Sequence, residues 1–128
     1  MWGGTVRPEN GKHIPGLKEP VMQVKKVTDL ESFREDAMSK VNLFETPRFF
    51  CDIYCLRPGH SQKVHRHVAN DKLYYIVRGE ATVIVGAESR TLRAGEIVLA
   101  PAGEPHGVTN ESKDDAVCLV FMAPHPKP

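Results

Sequence analysis

The stretch GEIVLAPAGEPHGVTN, Gly95 to Asn110, holds two short β-prone runs on either side of a turn-prone segment. The runs EIVLA and HGVTN contain the aliphatic and β-branched residues that are favoured in strands. Between them, Pro101 has a fixed φ and Gly103 tolerates a positive one, so PAGEP predicts a tight reversal. The reversal delivers His106 to the start of the second run, and Asn110 is expected to stabilise the next turn through side chain to backbone hydrogen bonds.

The same pattern extends outward over most of the chain. Short β-prone runs begin at Arg48 and are separated by RPGH, VRGE, VGAE and RAGE, which are typical of turns. The runs are RFFCDIYCL, KVHRHV, KLYYIV, ATVIVG, SRTLRA, EIVLA, HGVTN and AVCLVFMA. Many short strands with Gly and Pro turns predict an all-β sandwich or barrel.

Two histidines in one of these runs are candidate metal ligands. In a strand, His65 and His67 would lie on the same face, about 6.5 to 7 Å apart, and could converge on one ion. His106 can join them only if the sheet folds back over itself. The spacing alone leaves an alternative open, in which these are surface or core histidines satisfied by hydrogen bonds.

Two motifs in the chain resemble those of the cupins, which are small jelly-roll barrels. The motif G-x5-H-x-H-x(3,4)-E-x6-G is matched by Gly59, His65, His67 and Gly79, and G-x5-P-x-G-x2-H-x3-N by Gly95, Pro101, Gly103, His106 and Asn110. Two glycines and a proline in the second motif alone should coincide about once in 4,000 starts. The resemblance implies a double-stranded β-helix with one divalent transition metal (Fe, Mn, Ni, Co, Cu or Zn) at His65, His67 and His106.

The chain departs from the first motif where the family has its glutamate ligand. Counting back from Gly79 gives Lys72, and a protonated amine cannot coordinate a cation. Asp71 fits the shorter spacing from His67, but neighbouring strand residues face opposite ways, so only one of the pair should enter the barrel. The register of the YYIV strand favours an inward Lys72.

Further candidates for the substrate pocket are Gln62 and Tyr74. Gln62 stands where oxalate-degrading members of the family have an arginine, and it could hydrogen-bond a substrate or point outward. Tyr74 could turn its hydroxyl to a ligand or simply belong to the core. With Lys72, and with Lys63 on the parity of His65, the cavity is expected to attract an anion.

Composition limits the possible partners and location. The 128 residues, 41% of them hydrophobic, suffice for one domain, and 17 basic against 16 acidic residues leave no basic patch for nucleic acid. No apolar run is long enough for a membrane span or a signal peptide, so a cytoplasmic protein is expected. Cys51, Cys55 and Cys118 are predicted to be buried reduced thiols.

The N-terminal part is predicted to differ from the barrel. Residues 1–27 suggest an extended arm, 28–47 a short helix and its connection, 48–124 the barrel and 125–128 a tail. The helix is predicted from a capping box, Thr28 with Glu31, and from Leu30, Phe33, Ala37 and Val41 near helical spacing. Exposed sheet edges need cover, which predicts a homodimer.

Two functions remain open from the sequence. One is a metalloenzyme of dioxygenase, decarboxylase, isomerase or lyase type, acting on a small carboxylate or enolisable metabolite. The other is a non-catalytic module that binds a small molecule or a metal, since the fold serves both uses.

Overall fold

The computed structural model describes residues 21–126, which form two antiparallel sheets. One sheet has the strand order β1-β2-β9-β4-β7, and the other has the order β3-β8-β5-β6. The strands in this part of the chain are β1 (Ser39–Thr46), β2 (Phe49–Leu56), β3 (Ser61–His65), β4 (Asp71–Arg78), β5 (Glu80–Val85), β6 (Glu88–Arg93), β7 (Ile97–Ala100), β8 (His106–Thr109) and β9 (Ala116–Ala123). Non-consecutive neighbours in both sheets give the jelly roll, so the predicted fold class is confirmed.

Alternation of side chains along the strands creates the barrel interior. In β4, every second side chain from Lys72 to Ile76 is buried, whereas Tyr75 between them is exposed. The inward side chains of both sheets meet in one core cluster. Its buried members are Tyr54, Leu56, Tyr74, Ile76, Ala81, Val83, Leu92, Ala100, Val108, Cys118 and Val120.

A second apolar cluster lies on the outer face of the five-stranded sheet. Leu43, Ile53, Cys55 and Val117 form its buried part. Val27, Leu30 and Phe33, from the segment before β1, pack against it. The N-terminal segment therefore covers part of this face.

The predicted helix after Thr28 is wrong. The helical part is a single 3-10 turn, Val27–Leu30, with no side-chain cap, and Val41 belongs to β1. Leu30 and Phe33 point toward the sheet from an irregular segment, so their spacing reflects packing on that sheet and not an amphipathic helix. Strand pairing also begins at Ser39, earlier than the expected Arg48. The predicted arm lies mostly outside the described residues.

Turn residues behave as their spacing predicts. Gly79 has φ 74°, and a Cβ there would lie 2.4 Å from the Asp115 carbonyl oxygen, so no other residue fits without a shift. Asn110 donates from Nδ2 to the carbonyls of Leu56 (2.9 Å) and Asp114 (2.8 Å), and its Oδ1 accepts from the Ser112 amide (2.9 Å). These contacts fix the β8–β9 connection and tie it to the end of β2.

Candidate metal centre

Three histidines meet at the end of the four-stranded sheet. His65 ends β3 and is paired in register with His106, the first residue of β8. His67 follows two residues after β3 ends, and its carbonyl accepts from the Gly103 amide at 2.9 Å, which ties it to the turn before His106. One ring nitrogen from each histidine lies within 4.8 Å of the other two. The structure therefore brings together His65, His67 and His106 in a group that could hold a metal ion.

Backbone contacts orient two of the rings. Nδ1 of His65 lies 2.8 Å from the Lys63 carbonyl, and Nδ1 of His106 lies 3.1 Å from the Glu104 carbonyl. In each case Nδ1–H donates, which leaves Nε2 as the nitrogen with a free lone pair. Nε2 of His106 is buried without a hydrogen-bond partner. An unpaired buried nitrogen is costly, and a metal ion would satisfy it, so the donor set fits a bound metal.

Burial and nearby charges favour the neutral form of His106 and His67. Burial lowers the pKa of His106 to about 4, and the nearby Lys72 charge acts in the same direction. Burial and the charges of His65 and Lys72 also lower the pKa of His67. Because only an unprotonated imidazole can coordinate a metal, this environment keeps His67 and His106 able to bind one at neutral pH.

The structure places Lys72 inside the barrel and Asp71 outside it. Lys72 is 1% exposed, and Asp71 is exposed, with its Oδ1 accepting from the Ala102 amide at 2.8 Å. Asp71 therefore anchors the turn after β7. In the described part of the chain, no carboxylate or thiolate joins the three histidines as a fourth potential ligand.

The Lys72 ammonium is held by a small polar network. Its Nζ donates to Gln62 Oε1 at 3.2 Å, and the same oxygen lies 3.5 Å from the Tyr74 hydroxyl. Nε2 of Gln62 donates to the Tyr54 hydroxyl at 3.2 Å. The Nζ atom also lies 5.3 Å from the centroid of the Tyr54 ring and 5.0 Å from that of Tyr74. All three pocket candidates, Lys72, Gln62 and Tyr74, thus come together beside the histidines.

Sequence reasoning missed Tyr54 as a member of this network. The residue is fully buried in β2, and burial raises its pKa above the usual range. Its position could have been inferred from strand parity, because Asp52, Tyr54 and Leu56 alternate with apolar residues that face the other way. The run RFFCDIYCL contains three aromatic residues, and the sequence alone does not single out Tyr54 among them.

A pocket of about 400 Å³ lies between residues of β1, β2 and the C-terminal segment, and Lys40 in its lining has its Nζ 5.4 Å from the centroid of the Tyr54 ring. We call it the outer pocket. Its lining residues are Lys40, Asn42, Glu45, Phe50, Asp52, His125 and Pro126.

The remaining histidines and cysteines lie apart from the three-histidine group. His60 sits in the turn before β3, where its Nδ1 accepts from the Arg57 amide at 3.1 Å. His125 lies 2.5 Å from Glu45, and His13 is outside the described residues. Lys63 is exposed. The three thiols are free, as predicted, although Cys51 is only partly buried.

Comparison with known proteins agrees with the fold. The protein-family model for the cupin domain matches residues 52–122 of this chain. A Thermus thermophilus crystal structure is 44% identical with a TM-score of 0.81, covering 82% of this chain and all of that one. An uncharacterised Streptomyces coelicolor protein is 38% identical over 74 residues, 56% of this chain and 68% of that protein. An oxalate-binding protein of Thermotoga maritima is 29% identical over 86 residues, 67% and 68% of the two chains.

The two-sheet topology and the match of the cupin-domain model to more than half of the chain define the class. The chain belongs to the cupin family. Among the described residues, no helix is long and apolar enough to span a bilayer.

Proposed function

We propose that this cupin binds one divalent transition metal through His65, His67 and His106 and acts on a small carboxylate or enolisable metabolite. The observation that carries the proposal is the buried Nε2 of His106, which has no partner and belongs to a group of three converging ring nitrogens. Three neutral ligands leave coordination positions free for a substrate. When bound, the metal would act as a Lewis acid toward a substrate oxygen.

Lys72 supplies the second part of the proposed site, an anion contact. The ammonium makes one side-chain hydrogen bond, to Gln62, and no carboxylate in the described part of the chain lies within ion-pair distance. Burial lowers its pKa to about 8, so at neutral pH it is still mostly protonated. A buried cation with donors to spare is stabilised when it shares a carboxylate with a neighbouring metal.

Gln62 and the two tyrosines position the ammonium. The Gln62 amide is oriented from both ends, because its Nε2 donates to Tyr54 and its Oε1 accepts from Lys72. This holds the ammonium in one place, which would fix the carboxylate of a substrate before reaction. The reaction type stays within the four proposed classes: dioxygenase, decarboxylase, isomerase or lyase.

A non-catalytic binding module is the second candidate function. The observation that favours it is the similarity to a protein described as oxalate-binding. The two functions share the metal and the anion contact. They differ in whether a bound carboxylate is converted, which product analysis of metal-loaded protein with candidate acids would decide.

The proposal also includes a cytoplasmic homodimer. Three free thiols suit a reducing compartment. Exposed Ile97 and Leu99 on the edge strand β7 suit contact with a second copy.

Metal analysis tests the proposed centre. Full-length protein purified without a metal-binding tag should contain about one transition metal per chain, and His106→Ala should lose most of it. His60→Ala is the matched control, because that histidine lies in a turn outside the group. Full metal content and affinity in His106→Ala would rule out the three-histidine centre.

The anion contact needs its own variant. With metal content unchanged, Lys72→Met should weaken oxalate binding to the metal-loaded protein about tenfold or more, as measured by calorimetry. Oxalate binding of equal strength in Lys72→Met and wild type would remove the lysine from the site.

A further inference from the structure

The outer pocket contains polar side chains that the proposed metal and anion contacts do not use. Residues paired across β1 and β2 share a face, and Tyr54 and Phe50 in β2 contribute to the barrel core. Their partners therefore face the same interior. The pairs are Lys40 with Tyr54, Asn42 with Asp52 and Glu45 with Phe50.

Asp52 is the hydrogen-bond acceptor best placed in this pocket. Its side chain is half-buried, and Oδ1 accepts from Asn42 Nδ2 at 2.8 Å. A carboxylate offers about four acceptor positions, so the Asn42 contact orients the group without using it up. Glu45, the other acid in the lining, is already 2.5 Å from His125.

The outer pocket lies close to the histidines and Lys72. The Nζ atom of Lys40, in the pocket lining, lies 5.4 Å from the centroid of the Tyr54 ring, and the Nζ atom of Lys72 lies 5.3 Å from the same centroid. Across the sheet, Asp52 is paired with Val120, which is paired in turn with Tyr74. Lys72 and the outer pocket are therefore neighbours on the inner face of the five-stranded sheet.

The charge of the side chains changes from the histidine end of the barrel interior to the outer pocket. The histidine end carries Lys72 and the proposed metal, both cationic, whereas the outer pocket carries the acids Asp52 and Glu45 beside Lys40 and Asn42. A ligand that matches this order is anionic at one end and rich in hydrogen-bond donors at the other. A second carboxylate at the far end would meet Asp52 and be repelled.

We propose that the outer pocket selects carboxylic acids with hydroxyl groups remote from the carboxylate, with Asp52 accepting the hydroxyl hydrogen bond. The inference rests on the proposed function, because the carboxylate end is assumed to lie at Lys72 and the metal. It makes Asp52 a specificity residue for hydroxy acids over dicarboxylates.

Calorimetry on metal-loaded, full-length protein tests the selection with three four-carbon acids: 3,4-dihydroxybutanoate, butanoate and succinate. Wild type should bind the dihydroxy acid about tenfold more tightly than butanoate, and succinate no more tightly than butanoate. Asp52→Ala and the isosteric Asp52→Asn should lose most of that preference. Both should also bind succinate about threefold more tightly than wild type, a gain that misfolding cannot produce.

Glu111→Ala, which removes an exposed acid from the β8–β9 connection, is the control and should match wild type. Equal binding of the three acids by wild type would overturn the inference. So would a hydroxyl preference that survives in both Asp52 variants, since the hydroxyls would then bind elsewhere, for example to the metal. If wild type bound none of the acids, the proposed function would fail as well, which separates the two cases.

Discussion

At the scale of single residues, Lys72 changes the charge of the whole site. At the position where the cupin motif has a glutamate, which would neutralise part of a metal's charge, this chain has a buried ammonium. An ammonium near a divalent ion is repelled by several kcal/mol at about 6 Å, even with an effective dielectric of 20. Asp52 and the two tyrosine rings compensate only in part. In the proposed metal-loaded site, an anion between Lys72 and the metal would relieve this repulsion, so the lysine would favour binding of an anionic ligand.

Removing this charge should stabilise the metal-free protein. Burial lowers the Lys72 pKa from 10.5 to about 8, so the charged form is disfavoured in the folded state. Lys72→Met should raise the free energy of unfolding at pH 7 by about 2 kcal/mol in urea titrations without carboxylate buffers. The penalty is fully present below pH 8, where folded and unfolded chains are both protonated, and it disappears as pH rises to 10.5.

The control for this experiment is Lys113→Met, which removes an exposed lysine and should change stability little at any pH. A Lys72→Met protein less stable than wild type at pH 7 would contradict an unfavourably buried charge. Stability gained here and anion binding lost would together indicate a residue kept for function.

The sequence predicted this residue better than it predicted its neighbours. Strand parity and the count to Gly79 indicated an inward Lys72, because a register shift of one residue would reverse every side chain of β4. Neither the Asp71 contact with the Ala102 amide nor the Tyr54 contact with Gln62 could be predicted. The first contact joins residues 31 positions apart, and the second joins β2 and β3, which belong to different sheets, so both depend on the packing of the finished barrel.

At the scale of elements, the strands from β2 onward were predicted well, whereas β1 and the segment before it were predicted poorly. Strands have a period of two that burial reinforces, and the positive φ at Gly95 and Gly103 marks turns between them. Residues 28–38 carry helix-like spacing but lie against a sheet, where contacts outweigh local propensity. In place of a helix, this segment is held to the sheet by the packing of its apolar side chains, Phe33 among them. Phe33 packs on the second apolar cluster, on the outer face of the five-stranded sheet. The guanidinium groups of Arg57 and Arg78 lie 5.3 and 5.7 Å from its ring centroid.

Loss of the Phe33 contact should weaken the fold and leave the three-histidine group intact. Phe33→Ala removes a partly buried ring and two cation–π contacts, so the free energy of unfolding should fall by about 2 kcal/mol. Asp36→Ala is the control, because its pair with Arg34 is exposed and worth little. Urea unfolding measures both. A change below 0.5 kcal/mol in Phe33→Ala would mean that the segment does not support the sheet.

At the scale of the whole molecule, the outer face of the five-stranded sheet is covered unevenly. The N-terminal segment packs near β1, β2 and β9, whereas Tyr75, Ile97 and Leu99 on β4 and β7 are 37%, 59% and 52% exposed. Ladder pairs bring these residues together, with Tyr75 opposite Ile97 and Leu73 opposite Leu99. They form a continuous apolar surface on an edge of the sheet, the kind of surface that marks a contact with another chain.

Sedimentation would test whether a second copy covers this surface. Wild type should sediment as a dimer, and Ile97→Asp should shift the protein to monomer, because an unpaired charge in an apolar interface is costly. Val68→Asp is the matched control: Val68 is also an exposed apolar residue, at 79%, but lies in the loop after His67. It should leave the dimer intact. A monomeric wild type would contradict the homodimer, and an Ile97→Asp dimer would locate the contact elsewhere. Metal content should be equal in all three proteins, since the histidine group is formed within one chain.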